Sequence, residues 1–157
     1  MLPPRVQALI DRLEKGKQKT NEILGGFSPE QWEQVVYNAP QEWTWRHLLA
    51  HFVSAEERLL EIAQNVAAGG KGAPEGFDYD AFNAEESARL QDHPPARLFA
   101  LLDLARQATL DWVATLDDAR LECVGRHPAL GIVSVEAMVT AIYGHQLFHM
   151  RDAQSKK

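Results

Sequence analysis

Val135-Glu136-Ala137-Met138-Val139-Thr140-Ala141-Ile142-Tyr143-Gly144-His145-Gln146-Leu147-Phe148-His149-Met150-Arg151 is the stretch on which the fold turns. Val135, Met138, Val139, Ile142, His145, Gln146 and His149 recur every three or four residues, the period of one helix face. The two histidines therefore continue the apolar stripe instead of standing on its polar side. Side chains four apart on a helix are neighbours, about 5–6 Å apart at Cβ. Two neutral imidazoles so placed can share one divalent ion, and they can equally be core-edge histidines satisfied by hydrogen bonds. The pair alone does not decide between these, so the third histidine must be sought elsewhere.

A helix with so long an apolar stripe needs partners, and the chain supplies three. After Pro3-Pro4 a first helix runs to about Leu24, with Val6, Leu9, Ile10, Leu13, Ile23 and Leu24 inward and Gly25-Gly26 as its stop. Ser28-Pro29-Glu30-Gln31 reads as a new start, with a capping-box pair around a first-turn proline. Asn38-Ala39-Pro40 soon breaks that turn. Thr44 is the expected N-cap of a second long helix reaching about Ala68, with Trp45, Leu48, Leu49, Phe52, Ala55, Leu59, Ile62, Ala63 and Val66 inward. A loop rich in Gly, Pro and Asp covers Gly69 to Asn83, and a helical turn is expected at Ala84–Leu90. Pro94-Pro95 opens the third long helix, with Leu98, Leu101, Leu102, Ala105, Trp112, Val113 and Leu116 inward. Gly125-Arg126-His127-Pro128 and Gly131 form the next loop, and Ser134 caps the last helix. No strand pattern, repeat or low-complexity segment is evident. The expected fold is all-α: one domain over residues 1–157, a four-helix bundle.

Composition fits that picture. The chain has 157 residues, 45% of them hydrophobic and 24% charged, with a net charge of −6. Charges of both signs are interspersed, so no basic face calls for nucleic acid. No run approaches the roughly 18 apolar residues of a membrane span. Met1-Leu2-Pro3-Pro4-Arg5 lacks the uninterrupted apolar stretch of a signal peptide. The single cysteine, Cys123, forms no internal disulfide. These features favour a cytoplasmic location.

The second long helix also carries two histidines four apart. At about 100° per residue, His51 lies about 70° from the centre of the apolar face and His47 about 110°. His51 thus points nearer the core and His47 to the rim. A helix of about 24 residues is about 36 Å long. The loop from Gly69 to Asn83, at about 3.3 Å per residue, is long enough to return that distance. The second and third helices can then run parallel through a crossover instead of forming a hairpin, with the fourth antiparallel to both. In that arrangement His51, His145 and His149 converge at one end of the bundle. Trp32, Tyr37, Trp43 and Trp45 enter at the same end, with Phe77-Asp78-Tyr79-Asp80-Ala81-Phe82 arriving beside them. His127 is placed at the opposite end and excluded as a ligand, and His93 is expected to cap a loop.

Trp43-Thr44-Trp45-Arg46-His47-Leu48-Leu49-Ala50-His51 resembles the W-[ST]-x-x-x-[LIV]-[LIV]-x-H opening of helix two in DinB-like proteins, and His145-x-x-x-His149 resembles their closing motif. The family includes the YfiT-like proteins, proposed to be metal-dependent hydrolases, and their thiol-transferase relatives. The resemblance spans essentially the whole chain, including helix order and the long crossover. It implies a three-histidine metal site on His51, His145 and His149, with zinc or nickel the first choices and iron or manganese next. It further implies a small-molecule enzyme, either a hydrolase or a thiol S-transferase using a low-molecular-weight thiol, and a homodimer.

Three imidazoles leave a coordination position open, as catalytic sites require. A hydrolase wants a general base nearby, and His47, one turn from His51, is the candidate by spacing. Asp78 and Asp80 come next, although loop acids more often cap turns. Glu56 and Glu57 lie near His51 in sequence but off its face, so both are read as solvated. A thiol transferase would need basic groups for the carboxylates of its thiol, and Arg46 and Arg151 are the candidates. Trp43 and Trp45 are read as core and lid, Tyr79 as a pocket wall, and Cys123 as too remote to be a nucleophile. The alternative is a non-catalytic metal-containing bundle that binds a small ligand or partner.

Overall fold

The computed structural model describes residues 1–156. Four long helices make its body: α1 (Pro4–Leu24), α3 (Trp45–Ala67), α5 (Pro95–Val113) and α7 (Val135–Gln154), with short helices α2 (Pro29–Trp32), α4 (Tyr79–Leu90) and α6 (Asp118–Leu121) between them. Their starts follow the expected chemistry. Pro4 and Pro95 occupy first helical turns, where the missing N–H costs nothing. Ser28 and Gln31 form the capping box of α2, and Ser134 accepts the Ala137 N–H to start α7. At α3, Thr44 accepts from the His47 N–H while the His47 ring accepts from the Thr44 N–H. An imidazole here does what a glutamine or glutamate does in the usual capping box.

Two features depart from the sequence expectation. Two small antiparallel pairs are present: β1 (Val35–Tyr37) with β2 (Trp43–Thr44), and β3 (Val124–His127) with β4 (Gly131–Ser134). Strands this short never complete the alternation by which a strand is recognised in sequence. The crossover helix is also longer than a turn, because Asp78 caps it by accepting the Ala81 N–H.

Packing settles the topology. One apolar cluster joins Leu24, at the end of α1, to Leu48, Leu49 and Phe52 early in α3, Leu98 and Leu102 early in α5, and Met150 and Ala153 late in α7. A second joins Val6, Leu9 and Leu13 to Ile62, Ala63 and Val66, to Val113, and to Val135, Met138 and Val139. So α3 and α5 run parallel through the crossover with α7 antiparallel to both, as expected, and α1 is antiparallel to them as well.

At mid-height a polar knot ties all four long helices. Glu56, which the sequence reading left in solvent, is buried on α3. Arg106 of α5 grips its carboxylate through Nε (2.6 Å) and Nη2 (3.0 Å) and donates Nη1 to Leu13 O of α1 (2.7 Å). Thr109 Oγ1 (3.1 Å) and Gln146 Nε2 of α7 (2.9 Å) complete the shell around the carboxylate. Glu56 misses the His51 face by helical angle, yet that same angle points it at α5. Buried charge is tolerated when bidentately paired and fully bonded, and both conditions hold.

Candidate metal centre

His51 is carried by α3 about two turns past its cap, and His145 and His149 by the last half of α7. The antiparallel packing brings all three together, with one ring nitrogen from each within 4.8 Å of the others. His51 Nε2 and His145 Nε2 lie 3.0 Å apart. The Nδ1 atoms of these two rings are buried without a hydrogen-bond partner. Burial, reinforced by the neighbouring imidazoles, drives His51 well below its ordinary pKa and takes His145 down to about 3. Burial also lowers His149, with Asp152 pulling the other way. The three rings are therefore neutral near pH 7, the form in which imidazole ligates metals.

His149 has a support that the sequence did not advertise. Tyr37 Oη donates to Asp152 Oδ2 at 2.8 Å and lies 3.0 Å from His149 Nδ1. A phenol has one proton, so Tyr37 must accept from His149 Nδ1–H, which leaves the Nε2 lone pair bare. Burial and Asp152 hold the Tyr37 phenol above its ordinary pKa, keeping it protonated. This carboxylate–phenol–imidazole chain is the outer support typical of ligating histidines, which fixes tautomer and ring orientation. By donor set, neutrality and outer support, the residues present fit a divalent ion.

The triad opens on a cavity of about 630 Å³ whose wall includes Tyr37, Trp43, Leu59, Phe77, Tyr79, Phe82, Leu130 and Phe148. That volume is in the range of small-molecule sites. The Trp43 ring packs 4.9 Å from His51, centroid to centroid. Phe77 and Phe82 sit against the Arg58 guanidinium, at 6.0 and 5.3 Å. Arg58 is the one cation among the described lining residues, none of which is a carboxylate, and it pairs with Glu61 at 3.1 Å.

The other sequence candidates scatter. His47 is not in the cavity wall, and its Nδ1 is spent on the helix cap. Burial, helped by Arg46, lowers its pKa. Asp78 caps α4, and Asp80 is exposed in its first turn. Arg46 is bound by Glu33 (3.1 Å) and Gln91 O (2.6 Å), away from the cavity, while Arg151 lines a separate groove between α1 and α7. His93 lies outside the wall as well. His127 is the correction: it lines the same cavity as the triad. A four-residue strand covers about 13 Å, close to the ~15 Å of helix between Val135 and His145, so the β3–β4 tip folds back level with the triad.

Comparison with known proteins accords with this geometry. No curated protein matches the chain. Among solved structures it is similar to YfiT from Bacillus subtilis, described as a probable metal-dependent hydrolase with an unusual four-helix bundle topology. That match has 16% identity and a TM-score of 0.75, and covers 99% of this chain and 87% of YfiT. It is also similar to the mycothiol-dependent maleylpyruvate isomerase, at 18% identity and a TM-score of 0.73, covering 96% of this chain but only 60% of the isomerase. A third is the colibactin self-resistance protein ClbS, solved with a double-stranded DNA, at 15% identity and a TM-score of 0.70, covering 100% and 99% of the two chains. Likeness at these identities speaks for the fold alone. The profile of the DinB superfamily matches residues 12–153, and the chain belongs to that superfamily.

Proposed function

We propose that His51, His145 and His149 hold one divalent ion, zinc or nickel first and iron or manganese next, in an enzyme acting on a small organic molecule. The observation that carries this reading is the convergence of three neutral imidazoles on the wall of a cavity of ligand size. When bound, such an ion supplies Lewis acidity and favours the deprotonated form of a water or thiol brought to it. The chain's own contribution is positional. Tyr37 and Asp152 hold the His149 ring in one tautomer. Trp43, Phe77 and Phe82 line the space beside the ligands and keep it poor in water. His47 has no part in this reading, because its Nδ1 is committed to the cap of α3.

Of the two chemistries that the superfamily suggests, the wall favours hydrolysis over transfer of a carboxylate-bearing thiol. Such a thiol needs cations, and Arg58 is already paired. A net charge of −6 and an apolar pocket likewise favour a small molecule over nucleic acid. The test is metal content by mass spectrometry on protein purified without a nickel column, beside His51→Ala and His145→Ala. About one ion per chain, lost in both variants while their helical signal persists, is expected. No ion after reconstitution with zinc, nickel, iron and manganese would overturn the reading.

A further inference from the structure

The cavity holds a fourth imidazole whose hydrogen bonding is half complete. His127 closes β3, and its Nδ1 accepts the backbone N–H groups of Ala129 (3.0 Å) and Leu130 (3.2 Å). A nitrogen accepting two such bonds carries no proton, so the proton of the neutral ring sits on Nε2, at the opposite edge. That Nε2–H is buried without a partner, in a side chain only 7% exposed that lines the cavity. Buried donors are nearly always paired; this one is closed to water as the ring stands, so a slight turn of the wall residue toward the cavity is what lets a ligand atom meet it. The indole Nε1–H of Trp43, in the same wall, is also buried and unpaired. Two idle donors ask for an acceptor on the ligand. The described lining residues are mostly apolar and include no carboxylate, and their one arginine pairs with Glu61, so away from the three metal-site imidazoles a charged group would lose its water with little compensation. Nor is His127 a stray metal ligand: it stands outside the group of three, and its Nδ1 is anchored to the turn.

We infer that His127 is a substrate-binding residue whose Nε2–H donates to a carbonyl-type oxygen of an uncharged, largely apolar small molecule. This rests on reading the cavity as the substrate site of the proposed enzyme.

Benzophenone and diphenylmethane test it, since they share two phenyl rings and differ at the carbonyl. Their dissociation constants are measured by tryptophan quenching, on metal-loaded and metal-stripped protein and on His127→Phe. Benzophenone is expected to bind the parent about fivefold more tightly than diphenylmethane, loaded or stripped. His127→Phe should equalise the two. A preference that survives in His127→Phe, a preference that disappears when metal is stripped, or failure of both probes to bind overturns the inference. Should the variant not fold, imidazole ¹⁵N–¹H spectra of the parent decide. The His127 Nε2–H signal, told from the other unprotonated-Nδ1 ring by the loss of the latter in His47→Gln, must move with benzophenone and stay with diphenylmethane, and an unmoved signal sinks the idea. Metal content of the same samples separates the two proposals. A carbonyl preference in protein that takes up no metal on reconstitution removes the metal enzyme and keeps His127, whereas metal uptake without the preference does the reverse.

Discussion

The hydroxyl of Tyr37 stands between an imidazole and a carboxylate, and its removal isolates what outer support is worth. Tyr37→Phe should keep the fold and lower metal affinity about 10- to 100-fold, read by competition with a chromogenic chelator. Proton linkage gives a second expectation. In metal-stripped protein the unfolded chain takes up protons near pH 6.5, while burial holds folded His145 neutral down to about 3. The unfolded state therefore binds more protons throughout that window, and stability falls as pH drops through it. The loss from His145 is about 2 kcal/mol at pH 5, measurable by urea titration at pH 7.5 and 5. Residues of this kind differ in how far sequence exposes them. His51, His145 and His149 are legible because helical period fixes their faces. Tyr37, Asp152 and His127 are not, because their roles come from contacts between segments that no local period relates.

Among the elements, the long helices are legible because a first-turn proline (α1, α5) or a side-chain cap (α3, α7) marks each start and an apolar stripe runs on from it. The strands are not, being two to four residues long and pinned by their neighbours. The β3–β4 pair, for example, is tied to the start of the crossover through Ala73 N to Arg126 O and Arg126 N to Lys71 O, both 2.8 Å. Missing that pair is what put His127 at the wrong end of the bundle. Helix pairing carries its own test at α1 and α7. Gly16 lies under the Tyr143 ring, where an added Cβ would meet ring carbons at 2.5 Å. Gly16→Ala gains helix propensity of about 1 kcal/mol and loses about 1–3 kcal/mol to overpacking. A net destabilisation of about 1 kcal/mol is expected in the denaturation midpoint.

For the molecule as a whole, the Glu56 knot is the point where all four long helices must agree. Arg106→Leu strands a buried carboxylate and should cost about 3–5 kcal/mol by chemical denaturation. Glu56→Leu with Arg106→Leu should cost less than that single change, because no charge is left unpaired. Loop length admits the parallel run of α3 and α5 beside a hairpin and the family resemblance favours it, but the knot is not legible, since a lone glutamate reads as solvent until its partner helix is placed. The crossover itself has a kinetic consequence. Leu90 is the one buried residue of α4, yet Tyr79 and Phe82 from that helix wall the cavity. Little apolar burial means a low cost of local opening. Traffic into the pocket should then be paced by fraying of α4 while the bundle stays folded. Limited proteolysis should cut first within Tyr79–Leu90, and a bound ligand clasped by Phe82 should slow that cut.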